Sequence, residues 1–301
     1  MRTLCVGDAL VDLICHRPVT SLADADAFVA HVGGVSANVA VAAARAGGEV
    51  ELAGGGAGDD PWGAWLHDRL TAEHVGLQWF RLDDGEATGL VFVTLDAGGE
   101  PTYALHGGAR PSPPNGLRER LLDAVDNTDA LYFGSNMLAE KTGAAMMMEV
   151  RGRALELGHP IVFDPNIRLG RWEGNSGRAG AAAGACVPGA MLVKCNASEA
   201  RMMTGESHPE QAAASLLAAG AQHVIVTVGA RGAILRGKGV RRDAVGRPAR
   251  VVSALGAGDV FTGVLLAALG STDFYAPAIA AALPEAAEEA ARACERWGGL
   301  E

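Results

Sequence analysis

Short apolar runs alternate along the chain with longer stretches in which apolar residues recur every three to four positions. The runs at residues 4–7, Val50–Ala53, Ala130–Phe133, 160–163, 191–194 and 223–228 predict strands. The Ala-rich stretch 36–46 predicts a helix stopped by Gly47 and Gly48. Residues 61–74 predict another, with Asp59 and Asp60 ahead of Pro61 as cap and first-turn charge. Further helices are expected at 139–157, 211–219, 256–269 and 284–297. Strands alternating with helices of this length imply βαβ units, hence an α/β fold with a mostly parallel sheet covered on both faces.

Two stretches, at about residues 11–32 and 86–106, break the alternation. Both carry strand-type residues with no helix between. The second folds around the turn at 96–100 and predicts a hairpin. Together they are expected to form a small β-lid over the main sheet. No linker and no internal repeat divides the chain, so residues 1–301 are expected to make one domain.

Composition narrows the function classes. Apolar residues make up 49% and charged residues 20%, a globular profile that excludes general disorder. There are 41 glycines in 301 residues, about twice the usual ~7% share, as many tight turns between regular elements would require. With 35 acidic and 25 basic side chains the net charge is −10, which argues against a nucleic-acid partner. The 5 cysteines form no CxxC, so reduced thiols in a cytoplasmic protein are expected. Asp8 and Asp12 interrupt the N-terminal apolar stretch, which therefore does not read as a signal peptide. No segment has the length of a membrane span, and no membrane partner is expected.

Several motifs carry candidate chemistry. In Gly256-Ala257-Gly258-Asp259, small residues end a loop and open an apolar helix. Backbone N–H groups at such a helix start form an anion site. Asp259 would repel an anion there, which suits a general base for an attacking hydroxyl, or else a plain helix cap. Gly33-Gly34 ahead of Asn38 allows unusual dihedrals and close backbone approach, with Asn38 able to bond a polyol; a hinge is the other reading. Asp8 and Asp12 flank the end of the first strand, where α/β proteins bind ligands, and would accept sugar hydroxyls or shape a turn.

After another strand, Asp164, Asn166 and Arg168 put a carboxylate, an amide and a guanidinium at one strand end. Asn196 and Glu199, three apart, suit Mg²⁺ held through waters, or a capping box. Thr227, Gly229 and Gly232 follow a strand and suit a nucleotide phosphate or ribose, or a turn. No GxGxxG, GxxxxGK[ST] or HExxH occurs, which removes the dinucleotide fingerprint, the P-loop and that zinc site.

In this order the motifs resemble the ribokinase-like (pfkB) family of carbohydrate kinases, from Asp8 to Gly263. Asp164-Pro165-Asn166-x-Arg168 with Trp172, and Lys194-Cys195-Asn196-x-x-Glu199, look most like fructokinases and 2-keto-3-deoxygluconate kinases. The resemblance implies a three-layer α/β/α sandwich with a β-lid, a small sugar acceptor, ATP as donor and Mg²⁺. It implies Asp259 as catalytic base and Gly256, Ala257 and Gly258 as anion hole. It places Asp8, Asp12, Gly33, Gly34, Asn38 and Arg168 at the acceptor, Asn196, Thr227, Gly229 and Gly232 at the nucleotide, and Asn196 with Glu199 at the metal. A homodimer through the lid also follows from it. Fructose is the expected acceptor, with a sugar acid, ribose, myo-inositol or a nucleoside, or a non-catalytic sugar-binding role, as alternatives. Many relatives carry an Asp-Thr-Thr-like stretch tied to a monovalent cation, where this chain has Ser253-Ala254-Leu255; dependence on K⁺ is therefore not expected. Residues 295–301 match weakly, and no adenine contact is assigned to them.

Overall fold

The apolar runs become the buried strands of one large sheet. The computed structural model describes residues 1–106, 116–247, 249–298 and 300; the remaining positions of the expected 1–301 domain, and 299 and 301 of the weakly matching C-terminal stretch, lie outside the described residues. In chain order the elements are β1 (Thr3–Val6), β2 (Leu10–Cys15), β3 (Phe28–Gly33), α1 (Val35–Arg45), β4 (Val50–Ala53), α2 (Pro61–Ala72), β5 (Leu90–Leu95) and β6 (Pro101–His106). Then follow α3 (Leu117–Asp126), β7 (Ala130–Phe133), α4 (Lys141–Glu156), β8 (Ile161–Phe163), α5 (Ser176–Gly184), β9 (Leu192–Asn196) and α6 (Ala197–Thr204). The chain closes with α7 (Pro209–Ala218), β10 (His223–Thr227), β11 (Gly232–Gly237), β12 (Val240–Val245), α8 (Ala257–Gly270) and α9 (Pro277–Ala293).

The main sheet has the order β12-β11-β10-β9-β8-β7-β1-β4. It is parallel from β4 to β10, and β11 and β12 extend it antiparallel. Alternate residues of each strand face opposite layers, as the two-residue strand period requires. Cys5, Tyr132, Val162, Leu192 and Ile225 pack with α1, α2, α8 and α9. Leu4, Leu131, Ile161, Val193 and Val224 pack with α3, α4, α5 and α7 on the other face. The result is the three-layer sandwich. The chain leaves β1 for β4 on one side and returns to β7 on the other. That reversal opens a crevice at the strand carboxyl ends, the usual ligand position in such sheets.

The lid is a second sheet, ordered β3-β2-β5-β6. β5 and β6 form the expected hairpin, β2 and β3 pair antiparallel, and β2 joins β5 in parallel. Asp60 caps α2 as read, accepting from the Gly63 N–H at 2.8 Å. The expected helix boundaries shift by one or two residues, and by more at the last helix. The helix expected at 284–297 runs Pro277–Ala293, with Pro284 inside it. Pro277 takes the first helical position, where a missing N–H costs nothing. None of the five cysteines is disulfide-bonded, and among the described residues no helix is long and apolar enough to cross a membrane.

Candidate active site

Gly256 caps α8 in the left-handed region, with φ 69°, and turns the chain so that the first helical N–H groups face outward. Asp259 is the third helical residue, where a capping carboxylate would fold back on its own turn. No side-chain cap bond forms at this terminus. The Asp259 oxygens are instead held by two amides: Asn38 Nδ2 donates at 3.1 Å and Asn166 Nδ2 at 3.3 Å. The plain-cap reading of Asp259 therefore fails. Asn38 stands in the first turn of α1. Asn166 follows β8 at φ 39°, a backbone state that Asn accepts more readily than most residues.

Burial pushes the Asp259 carboxyl up to about 6; the nearby Arg168 charge and the Asn38 N–H act the other way, as does Lys194, while Asp164 adds to the rise. Asp12, on β2, is pushed up to about 7, first by burial and then by the Asp259 charge, with Arg168 opposing. Asp12 and Asp259 thus share one weakly solvated space with Arg168 beside them. The Arg168 guanidinium lies 5.6 Å from the ring centre of Tyr103 on β6, a cation–π contact that ties the strand end to the lid.

The paired glycines have steric reasons. A Cβ at Gly33 would lie 2.5 Å from Asp12 Cγ, so the bare backbone makes room for that carboxylate. Gly34 has φ 92°, and a Cβ there would lie 2.2 Å from the Asp8 carbonyl oxygen. Asp8 itself is paired with Arg171 at 3.3 Å.

A cavity of about 1520 Å³ runs between lid and sheet, lined by Asp12, Gly34, Asn38, Arg168, Gly256 and Asp259 among others. Asp8, Gly33, Ala257 and Gly258 are not among its lining residues, while Arg171 and Tyr103, which sequence reasoning missed, line it. The Arg171 contact carries no local signal, because its partner comes from the other end of the chain. The buried Lys194–Asp164 pair, at 2.8 Å, was also not recognised; Lys194 at the end of an apolar strand run was its signal.

Of the residues expected at the nucleotide, Asn196 and Thr227 end β9 and β10, and Gly229 and Gly232 follow. Asn196 and Thr227 are register partners across β9 and β10. Gly229 has φ 60° and open space where a Cβ would stand. Gly232 is dictated by packing: its Cβ would lie 2.0 Å from the Ala244 carbonyl oxygen on β12. Asn196 and Glu199 form a complete capping box. Glu199 accepts from the Asn196 N–H and the Ile167 N–H, each at 2.9 Å, and Asn196 Oδ1 accepts from the Glu199 N–H at 2.9 Å.

This pair still fits a divalent cation. Each Glu199 oxygen keeps a second lone pair. Burial first and then the Asp164 charge push the Glu199 carboxyl up, with the Lys194 charge opposing. The buried Asp164 Oδ1 has no hydrogen-bond partner among the described residues.

The chain matches the family model described as pfkB family carbohydrate kinase over residues 2–293. It is 31% identical to a fructokinase-2 of Solanum lycopersicum over 263 residues, covering 86% of this chain and 79% of the relative. It is 30% identical to an aminoimidazole riboside kinase of Salmonella typhimurium over 280 residues, covering 92% and 83%. A double mutant of the Vibrio cholerae fructokinase, solved with fructose, ADP and potassium ion, superposes with a TM-score of 0.84 at 28% identity, covering 99% of this chain and 94% of that one.

Proposed function

The chain belongs to the pfkB family of carbohydrate kinases, and from that premise we propose that it transfers the γ-phosphate of ATP to a hydroxyl of fructose. The observation that carries the reading is Asp259: a carboxylate at a helix N-terminus that caps nothing and is held by Asn38 and Asn166 in a ligand-sized cavity.

In this reading Asp259 takes the proton of the acceptor hydroxyl as that oxygen attacks phosphorus. Its elevated carboxyl, near 6, leaves it ionised at neutral pH yet basic enough to accept. The N–H groups of Gly256, Ala257 and Gly258 stabilise negative charge on the transferring group. Asp12 and Asn38 orient the sugar, with Gly33 and Gly34 keeping the backbone clear of it. Asn196, Thr227 and Gly229 bind the nucleotide. Asn196 and Glu199 would hold Mg²⁺ through waters; when bound, that ion supplies positive charge to the triphosphate. The lid strands, tied down through Tyr103 and Arg168, exclude water that would compete as acceptor.

Fructose is favoured over a sugar acid on charge. Asp12 and Asp259 already repel one another across the cavity. A carboxylate on the acceptor would add a third negative charge, which Arg168 would have to offset. A neutral ketohexose donates hydroxyl protons to the same carboxylates. The outer lid strands β3 and β6 carry the exposed Val29 and Leu105, which supports pairing of two copies through the lid.

The deciding experiment is an ATP-consumption panel over fructose, ribose, 2-keto-3-deoxygluconate, myo-inositol and aminoimidazole riboside. Fructose is expected to give the highest kcat/KM. A sugar acid or riboside in first place would overturn the acceptor and leave the kinase family standing.

A further inference from the structure

Three side chains that line no part of the cavity meet beneath the first turn of α8. Lys194 on β9, Asp164 after β8 and Thr262 on α8 are 4%, 0% and 0% exposed. Lys194 Nζ donates to Asp164 Oδ2 at 2.8 Å and to the Gly258 carbonyl at 3.3 Å. Thr262 Oγ1 lies 2.8 Å from the same Asp164 oxygen and 3.0 Å from the Gly258 carbonyl. The bonds close a ring between two strand ends and one helix turn. A Cβ at Gly258 would stand 3.2 Å from Lys194 Nζ, so the glycine lets the ammonium sit against the backbone.

Stability alone does not explain such a group. Withdrawing both charges from water costs about what their attraction returns, and an apolar pair of similar volume often holds a layer as well. An apolar pair cannot bond a helix-turn carbonyl. We propose that Lys194, with Asp164 and Thr262, is a positioning brace that fixes the Gly256–Asp259 turn relative to the ends of β8 and β9. This inference rests on the assignment of Asp259 and its preceding amides to phosphoryl transfer. Lys194 and Asp164 line no part of the cavity; they act through the placement of the turn. Catalytic groups need placement within roughly 0.5 Å, and a displacement near 1 Å can cost about 10²-fold in rate.

The test compares Lys194→Met, the double variant Asp164→Asn/Lys194→Met, Thr262→Val and Thr262→Ser in the full chain. Thermal unfolding, kcat and KM with the best acceptor, and amide hydrogen exchange are measured on each. Lys194→Met is expected to lose both Tm and kcat, because Asp164 is left buried and unpaired. The double variant should regain most of the Tm while kcat stays down by about 10²-fold. KM values for ATP and acceptor should stay within about threefold, since ground-state binding is not what the brace serves. Amides of residues 257–263 should exchange faster, with the rest of the fold unchanged. Thr262→Ser should keep activity that Thr262→Val loses.

Recovery of kcat together with Tm in the double variant, or unchanged exchange at 257–263, overturns the proposal. If none of the acceptors supports ATP consumption by the wild-type chain, the kinase reading fails, and the exchange measurement still decides the brace.

Discussion

Asn38 Nδ2 donates to Asp259 Oδ2 at 3.1 Å, across a sequence separation of 221 residues. The bond joins the first turn of α1 to the first turn of α8, with the lid strand β3 feeding directly into α1. The residue proposed to accept the reacting proton is thereby oriented by the helix that follows the lid. Each amide bond to Asp259 stabilises its ionised form, the form that can act as base.

Replacing Asp259 by Asn keeps the side chain's size and removes its basicity. Loss of a positioned base typically costs on the order of 10²–10⁴-fold in kcat. We expect a loss at or above that range, with the fold and ATP affinity retained. Circular dichroism, ATP titration and turnover measured on one preparation check this. A variant with near-normal kcat would remove Asp259 from the chemistry.

The pH profile follows from the raised carboxyl. With Asp259 near 6, kcat should be flat above neutrality and fall as pH drops through about 6, because the protonated acid cannot accept a proton. Asp12, near 7, interacts with it, so the acid limb reports the pair. The Asn38 N–H lowers the Asp259 value, so Asn38→Ala should move the limb to higher pH. A limb that stays put or moves down in that variant would contradict the assigned contact.

Local signals disclose the local parts of this molecule. The strand at Ala130–Phe133 is bounded as its apolar run is, and the Asn196–Glu199 box is legible because its partners are three apart. The helix α5, Ser176–Gly184, is weakly marked in the sequence, because its four Ala favour a helix while three Gly, each about 1 kcal/mol worse than Ala, offset them. Asp8 is legible as a carboxylate at a strand end, for a sugar or a turn, but its pairing with Arg171 is a contact that only the folded chain creates. Asn166 was visible as a residue type at a strand end, but its bond to Asp259 was not. Gly232 carries the opposite lesson: a glycine placed beside nucleotide residues by motif is required by the neighbouring strand.

Close helix packing sets the Asn38–Asp259 distance. A Cβ at Gly263 would lie 2.5 Å from Ala42 Cβ and 2.7 Å from the Ala43 nitrogen, so α1 and α8 approach at a bare backbone. Gly263→Ala should force them apart. Overpacking of this kind costs about 1–3 kcal/mol, read as a lower Tm. We also expect a lower kcat with little change in ATP affinity, since the displacement separates Asn38 from Asp259. Unchanged melting and unchanged rate would show that α1 yields freely.

Monovalent cations should matter little. The segment before α8 has Ser253-Ala254-Leu255, so it lacks the side-chain oxygens of an Asp-Thr-Thr stretch. Its one hydroxyl, Ser253 Oγ, accepts from the Leu255 N–H at 3.1 Å. The Val252 and Ser253 N–H groups both donate to the Cys294 carbonyl, and that of Ala254 to Gly99, which stitches the segment to the end of α9 and to the lid turn. Rates in matched Na⁺ and K⁺ buffers should coincide, while EDTA should abolish turnover. Strong activation by K⁺ would mean that other groups build a cation site.

Asp12 tests the acceptor side separately from the chemistry. It lines the cavity on the lid strand β2, opposite the helix that carries Asp259, and its carboxyl feels the Asp259 charge. If it accepts sugar hydroxyls, Asp12→Ala removes one polar partner of the acceptor, a loss of about 1–3 kcal/mol. That corresponds to a rise in acceptor KM of roughly five- to 150-fold, with KM for ATP nearly unchanged. With Asp12 near 7 and Asp259 near 6, Asp12 is mostly protonated while Asp259 titrates, so its removal leaves the Asp259 carboxyl nearly where it was. The acid limb of kcat should therefore stay close to its wild-type position in Asp12→Ala, whereas it moves to higher pH in Asn38→Ala. Acceptor titrations at saturating ATP and pH–rate profiles of both variants measure the two effects together. An unchanged acceptor KM would remove Asp12 from the sugar site, and a limb displaced in Asp12→Ala as far as in Asn38→Ala would show that Asp12 does govern the Asp259 titration.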